Sequence, residues 1–405
     1  MNRSLPNPHY LQLSILILTG ALCGLPLIAN ALSPAAQVGQ KMFFDTNLSS
    51  SGKQACSTCH DPNNHYAPSN NLAVQIGGPS MSSSGTRAVP TLTYKDFTPP
   101  YADVLDNPDG ISAPGPGGGF TQDGRAPNLA AQAQIPLLAP IEMDNTVGGV
   151  VSTIQNSSYA NLFIQAFGST AFNDITAAFA NAMTALQSFQ LEDTSFHPYT
   201  SKYDLYSANK IGGTLTASEA RGLAVFSDPN KGNCFSCHYS GAGMNGSVAL
   251  FTDFSYEAIG VPRNSSIPAN VTFRGLPLSY DMGICSRADH PLPANAQYCG
   301  KFKTPTLRNV ATRGVFFHNG QMTSLSQVIS FYNTRDTNPQ LWYPTVNGVV
   351  QKFNDLPAIY RGNIDTQVPL DGRAAGSQPA MSAQDMLDMA AFLGTLTDGY
   401  VPPAP

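Results

Sequence analysis

The sequence predicts a mainly α-helical protein with two similar domains and long loops. Three observations support this fold class. The five-residue pattern Cys-x-x-Cys-His occurs twice, at 56–60 and at 234–238. A similar apolar segment with helical periodicity precedes each copy. Charged residues make up only 12% of the chain, about half of the usual share, and 35 glycines with 32 prolines indicate many ordered loops.

The two Cys-x-x-Cys-His motifs have the pattern of c-type haem attachment sites. In such a site two cysteines bind the haem covalently, here Cys56 with Cys59 and Cys234 with Cys237, and the following histidine ligates the iron. With 7 Cys and 7 His in 405 residues, chance predicts only about 0.002 copies. The alternative is a zinc or redox Cys-x-x-Cys pair with an incidental histidine. The repetition favours two covalently attached c-type haems, with the histidines His60 and His238 as iron ligands.

The segments before the motifs form a short internal repeat. Segments 39–45 and 222–228 both contain glycine, then phenylalanine four residues later, then aspartate two residues after that. Thr216 and Glu219 have the spacing of a capping box at the start of the second helix. Each domain is therefore predicted to consist of a helix, a loop and then the haem motif, as in cytochrome c.

Each domain also needs a closing helix. Apolar residues recur at helical spacing over 175–189 and over 386–396. Asn173 is the expected cap of the first closing helix, and Ser382 with Asp385 that of the second.

The composition of the loops predicts the domain boundaries. Segment 200–213 is polar and contains glycine, which is typical of a linker, and 110–119 is a Gly- and Pro-rich loop. We expect an N-terminal cytochrome c-like domain over 32–205 and a C-terminal cytochrome c-like domain over 206–405.

Residues 1–31 are predicted to be a signal peptide. Arg3 provides the positive charge, 11–28 is apolar, and Ala29-Asn30-Ala31 is a small-x-small cleavage site. The alternative is a retained membrane anchor, because the apolar stretch is close to the minimum spanning length. No later segment has the length and hydrophobicity of a membrane span. We therefore expect a periplasmic or otherwise exported protein.

Two cysteines remain after export and haem attachment. Cleavage after Ala31 removes Cys23, and four of the other six cysteines belong to the haem motifs. Cys285 and Cys299 are predicted to form a disulfide in an oxidising compartment, with two free thiols as the alternative.

Further motifs make the chain resemble the bacterial di-haem cytochrome c peroxidases and their relative MauG. These motifs are Asp123-Gly124-Arg125-Ala126, Gln132-Ala133, Pro136, Glu142-Met143, 302–310 and His318-Asn319-Gly320. The resemblance extends over nearly the whole mature chain. It implies that the N-terminal haem reacts with hydrogen peroxide and that the C-terminal haem supplies or stores electrons.

The resemblance also implies the catalytic residues. Glu142 and Gln132 would line the distal pocket of the N-terminal haem, with Pro136 between them. Peroxide cleavage needs a base that takes a proton from the bound oxygen and returns it to the leaving oxygen, and a carboxylate can do this. The alternative is a loop carboxylate with a surface role.

The sixth iron ligands distinguish the branches of the family. In the peroxidases a histidine blocks the resting N-terminal iron, but the matching stretch 82–90 contains none, and His65 lies too close to His60 to replace it. The resemblance therefore implies a five-coordinate or water-bound N-terminal iron.

Tyr332 lies fourteen residues after His318, where the peroxidases have methionine and MauG has tyrosine. This places the chain closer to the MauG-like branch, which includes MbnH. A phenolate ligand stabilises ferric and higher iron, whereas methionine raises the potential. The alternative is that Tyr332 is a packed helix residue and Met322 is the ligand.

Two positions depart from the family. Gln122 stands where the family has a tryptophan between the haems, so electrons would pass directly, through another aromatic such as Phe120, or by an altered route. The single tryptophan is Trp342. Segment 90–94 lacks the asparagine that the family uses for an inter-haem calcium, so calcium is doubtful.

Three functions follow as hypotheses. The first is a MauG-like peroxidase that uses hydrogen peroxide to generate high-valent iron and oxidises a residue of a secreted protein partner. The second is a cytochrome c peroxidase that takes electrons from a small redox protein. The third is a non-catalytic electron carrier. The net charge of −5 offers no basic surface for nucleic acid.

Overall fold

The computed structural model describes residues 31–110, 112–243, 247–268, 280–290, 292 and 294–403. Helices dominate this part of the chain, as predicted. The α-helices are α1 Pro34–Phe43, α2 Cys56–Cys59, α3 Leu129–Leu138, α4 Val147–Gln155, α5 Ala160–Phe167, α6 Ile175–Glu192, α7 Lys202–Ser207, α8 Ala217–Ser227, α9 Leu325–Thr334 and α10 Ala383–Gly394. The strands form antiparallel pairs, namely β1 Ile76–Gly77 with β2 Ser83–Ser84, β3 Ala102–Leu105 with β4 Gly115–Gly117, β5 Tyr256–Glu257 with β6 Phe302–Lys303, and β7 Thr345–Val346 with β8 Val349–Val350.

Two helix pairs repeat the same close contact. Helix α1 packs against α6, and α8 packs against α10. A Cβ on Gly39 of α1 would lie 2.0 Å from the carbonyl oxygen of Ala185 in α6. A Cβ on Gly222 of α8 would lie 2.0 Å from the carbonyl oxygen of Asp388 in α10. The glycine of the sequence repeat therefore lets two helix backbones touch just before each Cys-x-x-Cys-His motif.

The other two repeated residues also have matching environments. Phe43 and Phe226 are fully buried, each in a different hydrophobic core. Asp45 and Asp228 each accept a hydrogen bond from the backbone N–H two residues later, at 2.9 Å in both cases. These bonds turn the chain from the helix toward the haem motif.

Two main hydrophobic cores lie along the chain. The first contains buried residues from 38–196, and the second contains buried residues from 203–396. Segment 32–405 forms one compact unit that contains both cores. The division into cytochrome c-like domains at 205/206 stays a prediction.

The capping boxes predicted for α8 and α10 are confirmed. They pair Thr216 with Glu219 and Ser382 with Asp385. The cap predicted for α6 is wrong by one residue, because Asp174 rather than Asn173 accepts the backbone N–H of Ala177, at 2.8 Å. Both residue types are good caps, so the sequence alone did not distinguish them.

Two stretches predicted as irregular contain short elements. The predicted linker 200–213 contains α7, which Ser201 and Asp204 start with a capping box. The predicted loop 110–119 contains β4, which pairs with β3. Local hydrogen bonding therefore orders both stretches despite their glycine and polar residues.

The predicted signal peptide and Cys23 lie outside the described residues, except for Ala31 at its end. In the ranges that the structure describes, no helix combines the length and hydrophobicity that crossing a bilayer requires.

The predicted disulfide is confirmed. Cys285 and Cys299 are bonded, and their Cα atoms lie 4.9 Å apart. Both cysteines are buried, so the disulfide bond itself lies inside the protein.

Replacing both Cys285 and Cys299 by serine is expected to lower the free energy of unfolding by about 3 kcal/mol, because the unfolded chain regains the entropy of a loop of about 15 residues. Chemical denaturation of the haem-loaded protein measures this. An unchanged denaturation midpoint would show that the loop is held equally well without the bond.

Candidate functional site

The residues predicted for the N-terminal haem meet at one cavity of about 170 Å³. Residues from α2, from α3 and from the turn that follows α3 line it. They are Cys56, Cys59, His60, Gln132, Pro136 and Glu142. The fold thus brings the attachment motif and the predicted distal residues to the same space.

Both motif histidines are oriented as a haem ligand requires. The Nδ1 atom of His60 lies 3.1 Å from the carbonyl oxygen of Tyr66, and that of His238 lies 3.0 Å from the carbonyl oxygen of Phe251. A carbonyl oxygen only accepts, so Nδ1 carries the proton in both rings and Nε2 keeps its free lone pair. Burial lowers the pKa of both imidazoles to about 4, which keeps them neutral at neutral pH. These residues fit the two haems.

Helix α3 and the turn after it hold the predicted distal residues. Asn128 caps α3 by accepting the N–H of Ala131 at 2.8 Å, which fixes the turn that carries Gln132. The Glu142 N–H donates to the carbonyl oxygen of Ala139 at 2.9 Å, and its own carbonyl oxygen accepts from Gly78 at 2.7 Å. Backbone hydrogen bonds therefore hold Glu142 from both sides.

The β1–β2 hairpin supports Glu142 by close backbone contact. A Cβ on Gly77 would lie 2.5 Å from the carbonyl oxygen of Ile141 and 2.8 Å from the Cα of Glu142. Gly78 has a φ of +78°, which disfavours any larger residue. The hairpin therefore needs both glycines to approach the distal turn.

Glu142 is an exposed residue and lines the cavity. The surrounding protein desolvates it and raises its pKa, and the nearby charge of Arg125 opposes this shift. No described side chain donates a hydrogen bond to the carboxylate. It is thus free to exchange a proton with a molecule in the cavity.

The Asp-Gly-Arg motif builds an ion-pair network beside this cavity. Asp123 is buried and accepts from Arg87 at 2.8 Å and from Arg125 at 2.7 Å. Burial raises the pKa of Asp123, but the two arginines outweigh it and lower the pKa to about 2. Arg87 also binds Asp281 through two hydrogen bonds of 2.6 and 2.7 Å. The sequence analysis did not identify Arg87, which lines the cavity and ties three distant segments together.

The stretch matched to the blocking histidine does border the N-terminal cavity. Gly85, Thr86, Arg87 and Val89 line it, and none can ligate iron as histidine does. His65 lines the C-terminal cavity instead.

The second motif and Tyr332 line the C-terminal cavity, which is larger, at about 280 Å³. Tyr332 is carried by α9, whose first turn is capped by Ser324. Burial raises the pKa of its phenol above the ordinary value. Met322, the rival candidate, is buried in the core and does not line the cavity.

Gln122 lies in the wall of the C-terminal cavity. Its Nε2 donates to the carbonyl oxygen of Ala88 at 2.9 Å, whereas its Oε1 is buried without a hydrogen-bond partner among the described residues. Gln122 therefore bonds to the segment in which Val89 lines the N-terminal cavity and Pro90 lines the C-terminal cavity.

An aromatic contact links the two cavity walls. The Phe302 ring stacks on the His318 imidazole with centroids 3.8 Å apart, and both residues line the C-terminal cavity. The Arg87 guanidinium carbon, from the N-terminal cavity wall, lies 5.5 Å from the Phe302 ring centroid. Phe120, the aromatic suggested by the sequence, packs beside Lys303 and lines neither cavity.

Trp342 packs outside the cavity, next to the helix of Tyr332. Its Nε1–H donates to Thr334 Oγ1 at 3.0 Å, and its ring lies 5.5 Å from that of Phe331. The rings of Phe331 and Tyr332 lie 6.1 Å apart. Three aromatic side chains thus lead away from the cavity.

Comparison with known proteins places these features in a family. The family model of di-haem cytochrome c peroxidase matches residues 33–211. The methylamine utilization protein MauG of Paracoccus denitrificans is 33% identical, and the match covers 74% of each chain. This chain belongs to the di-haem cytochrome c peroxidase and MauG family.

Further relatives agree with this assignment. Cytochrome c551 peroxidase of Pseudomonas aeruginosa is 26% identical, with 79% of this chain and 78% of that protein covered. The crystal structure of the diheme peroxidase BthA from Burkholderia thailandensis has a TM-score of 0.80 and 36% identity, covering 91% of this chain and 87% of BthA.

As a member of the family, this protein is a haem peroxidase with two c-type haems. The haems supply the redox chemistry, and the residues described above would bind, orient and exchange protons around them.

Proposed function

We propose that this di-haem peroxidase is MauG-like and uses hydrogen peroxide to oxidise a residue, such as a tryptophan or tyrosine, of a protein partner. The observation that carries the proposal is Tyr332 in the same cavity wall as Cys234, Cys237 and His238. A phenolate ligand favours the oxidised states of iron, which suits a protein that stores oxidising equivalents.

The proposed reaction balances without another oxidant. Hydrogen peroxide takes up two electrons and two protons and gives two waters, and the electrons come from the partner. Glu142 accepts a proton from the bound peroxide and returns it to the leaving oxygen, while Gln132 and Pro136 shape the pocket. The aromatic contacts beside Tyr332 offer a route for electrons from the surface. We place the protein in the periplasm or another exported location, as the predicted signal peptide implies.

Absorption and electron paramagnetic resonance spectra of the resting protein test the proposal. One high-spin haem with one low-spin His–Tyr haem would support it. A low-spin His–Met haem would contradict it and favour a cytochrome c peroxidase that draws electrons from a small cytochrome. Two permanently six-coordinate irons would indicate an electron carrier.

The Trp342→Phe variant is expected to slow oxidation of the partner while its reaction with hydrogen peroxide stays intact, because the indole is removed from the route but not from the peroxide pocket. Stopped-flow absorption measures the first step and mass spectrometry of the partner the second. Equal loss of both steps would mean that Trp342 is structural. Equal retention would place the exit elsewhere.

The Gln122→Trp variant is expected to speed exchange of oxidising equivalents between the haems, because an indole is far more readily oxidised than an amide. Phe302→Leu tests the opposite change, since it removes the ring that contacts both cavity walls. Rapid-mixing spectroscopy follows each haem separately. Unchanged exchange in both variants would argue for direct transfer between the haem edges.

A further inference from the structure

Among the cations that line the C-terminal cavity, three have no described carboxylate within ion-pair distance. They are Lys95, Lys303 and Arg313. Lys303 donates to the carbonyl oxygen of Gly119, and Arg313 donates to the carbonyl oxygen of Val89. Carbonyl groups satisfy some N–H donors but leave the net charge in place.

The two arginines that are fully buried among the described residues have carboxylate partners. Arg308, in the wall of the same cavity, makes two hydrogen bonds to Asp204, at 2.8 and 3.1 Å. Arg335 pairs with Asp336 at 2.6 Å. These two arginines are therefore neutralised by carboxylates, whereas the half-buried Lys95, Lys303 and Arg313 are not.

Lys95 lies close enough to Arg313 and to Lys303 for its charge to be repelled by both. Burial, followed by the charge of Arg313, lowers the pKa of Lys95 to about 8. Burial, followed by the charge of Lys95, lowers the pKa of Lys303 to about 7, and the charge of Asp123 opposes this shift only in part. Burial alone lowers the pKa of Arg313 to about 10. A bound anion would remove this cost, because an opposite charge favours the charged forms.

The acidic side chains near the C-terminal cavity lie close to the second Cys-x-x-Cys-His motif rather than to the three cations. Asp253, Glu257 and Asp365 all act electrostatically on Cys237. A c-type haem is attached through its vinyl groups and carries two carboxylates on the opposite edge. The motif cysteines would hold the vinyl edge, and the anionic edge would then point away from them.

We propose that Lys95, Lys303 and Arg313 form the binding site for the carboxylates of the C-terminal haem. Lys95 comes from the N-terminal part of the chain. The site would therefore connect this part to the haem that is attached to the C-terminal part. Lys95 and Arg313 also act electrostatically on His60, which places their charge near the N-terminal haem as well. The proposal holds whichever protein supplies the electrons.

The site has an electrostatic consequence for the haem potential. Positive charge beside the iron disfavours its oxidised forms, so removing a cation should lower the reduction potential of the C-terminal haem. Lys95→Gln and Lys303→Gln each remove one charge, and Lys303→Arg keeps it. Lys210→Gln removes a charge from an exposed lysine outside the cavity and is the matched control.

Spectroelectrochemical titration of the haem-loaded variants tests the site, with haem content checked in each. We expect Lys95→Gln or Lys303→Gln to change the one-electron equilibrium at least tenfold, a fall of about 59 mV, and Lys303→Arg to restore the potential. Shifts no larger than that of Lys210→Gln would overturn the proposal. The readout is a resting potential, so it is independent of whether the enzyme oxidises a protein.

A titration of the wild-type protein with inorganic phosphate separates haem carboxylates from a free anion. If the haem carboxylates fill the site, phosphate leaves the potential of the C-terminal haem unchanged. A saturable shift that is lost in Lys303→Gln would mean that the site is open and takes a diffusible anion, which would overturn the assignment.

Discussion

The Glu142→Gln variant is expected to react with hydrogen peroxide roughly 10²–10⁴-fold more slowly than the wild type, because it loses the general acid–base group. Glutamine has nearly the same shape, and the backbone of Glu142 is held by hydrogen bonds to Ala139 and Gly78. The cavity and both haems should therefore remain intact. Stopped-flow absorption at the haem bands measures the rate.

The pH dependence gives a second, independent test of the same residue. Desolvation raises the pKa of Glu142 above the usual value of about 4.3. The carboxylate must be ionised to accept a proton, so the rate should fall as the pH falls through this raised pKa. The fall should be absent in Glu142→Gln.

Glu192→Gln is the matched control, since it makes the same change at the exposed end of α6. Its rate and pH profile should follow the wild type. A wild-type rate in Glu142→Gln would show that another group, or water, transfers the proton.

The repeated elements of the fold were predictable because a close contact between two helices requires glycine at the point of contact. Gly39 and Gly222 recur because a side chain at either position would collide with a backbone carbonyl. The cap of α6 was missed by one residue, because Asn173 and Asp174 have similar capping propensity. Segment 200–213 has the composition of a linker, because the contacts that hold its helix, from Asp204 to Arg308 and from Tyr203 to the second core, come from distant residues.

The sequence predicted the residues of the candidate site whose spacing along the chain is fixed by haem chemistry. It was less informative for residues whose role depends on tertiary contacts. The motif cysteines and Glu142 meet at one cavity, as the family resemblance implied. Arg87 and Phe302 carry no local signal for their role. Arg87 acquires it from Asp281, which is 194 residues away, and Phe302 from contacts with Arg87 and His318. Lys95 likewise has the sequence context of an ordinary loop lysine, and only the fold places it in the cavity wall near Arg313.

The Tyr332→Phe variant is expected to lose the spectroscopic signature of a phenolate-ligated haem, and its C-terminal haem potential should rise. A phenolate stabilises ferric iron, so its removal shifts the balance toward the ferrous form. Axial ligands set haem potentials over a range of roughly 0.8 V, so the change should be large. Phenylalanine keeps the ring, and the core around Phe331 should be preserved.

Two controls separate ligation from packing. Tyr343→Phe removes a phenol from a buried tyrosine of the second hydrophobic core, one that donates to the carbonyl oxygen of Gly260. It should leave the low-spin spectrum and the potential unchanged. Met322→Leu removes the rival ligand and should also have no effect. If Tyr332→Phe keeps the wild-type spectrum while Met322→Leu alters it, methionine is the ligand. The sixth ligand of the C-terminal iron would then be that of the cytochrome c peroxidases, and the MauG-like proposal, which depends on this ligand, would be wrong.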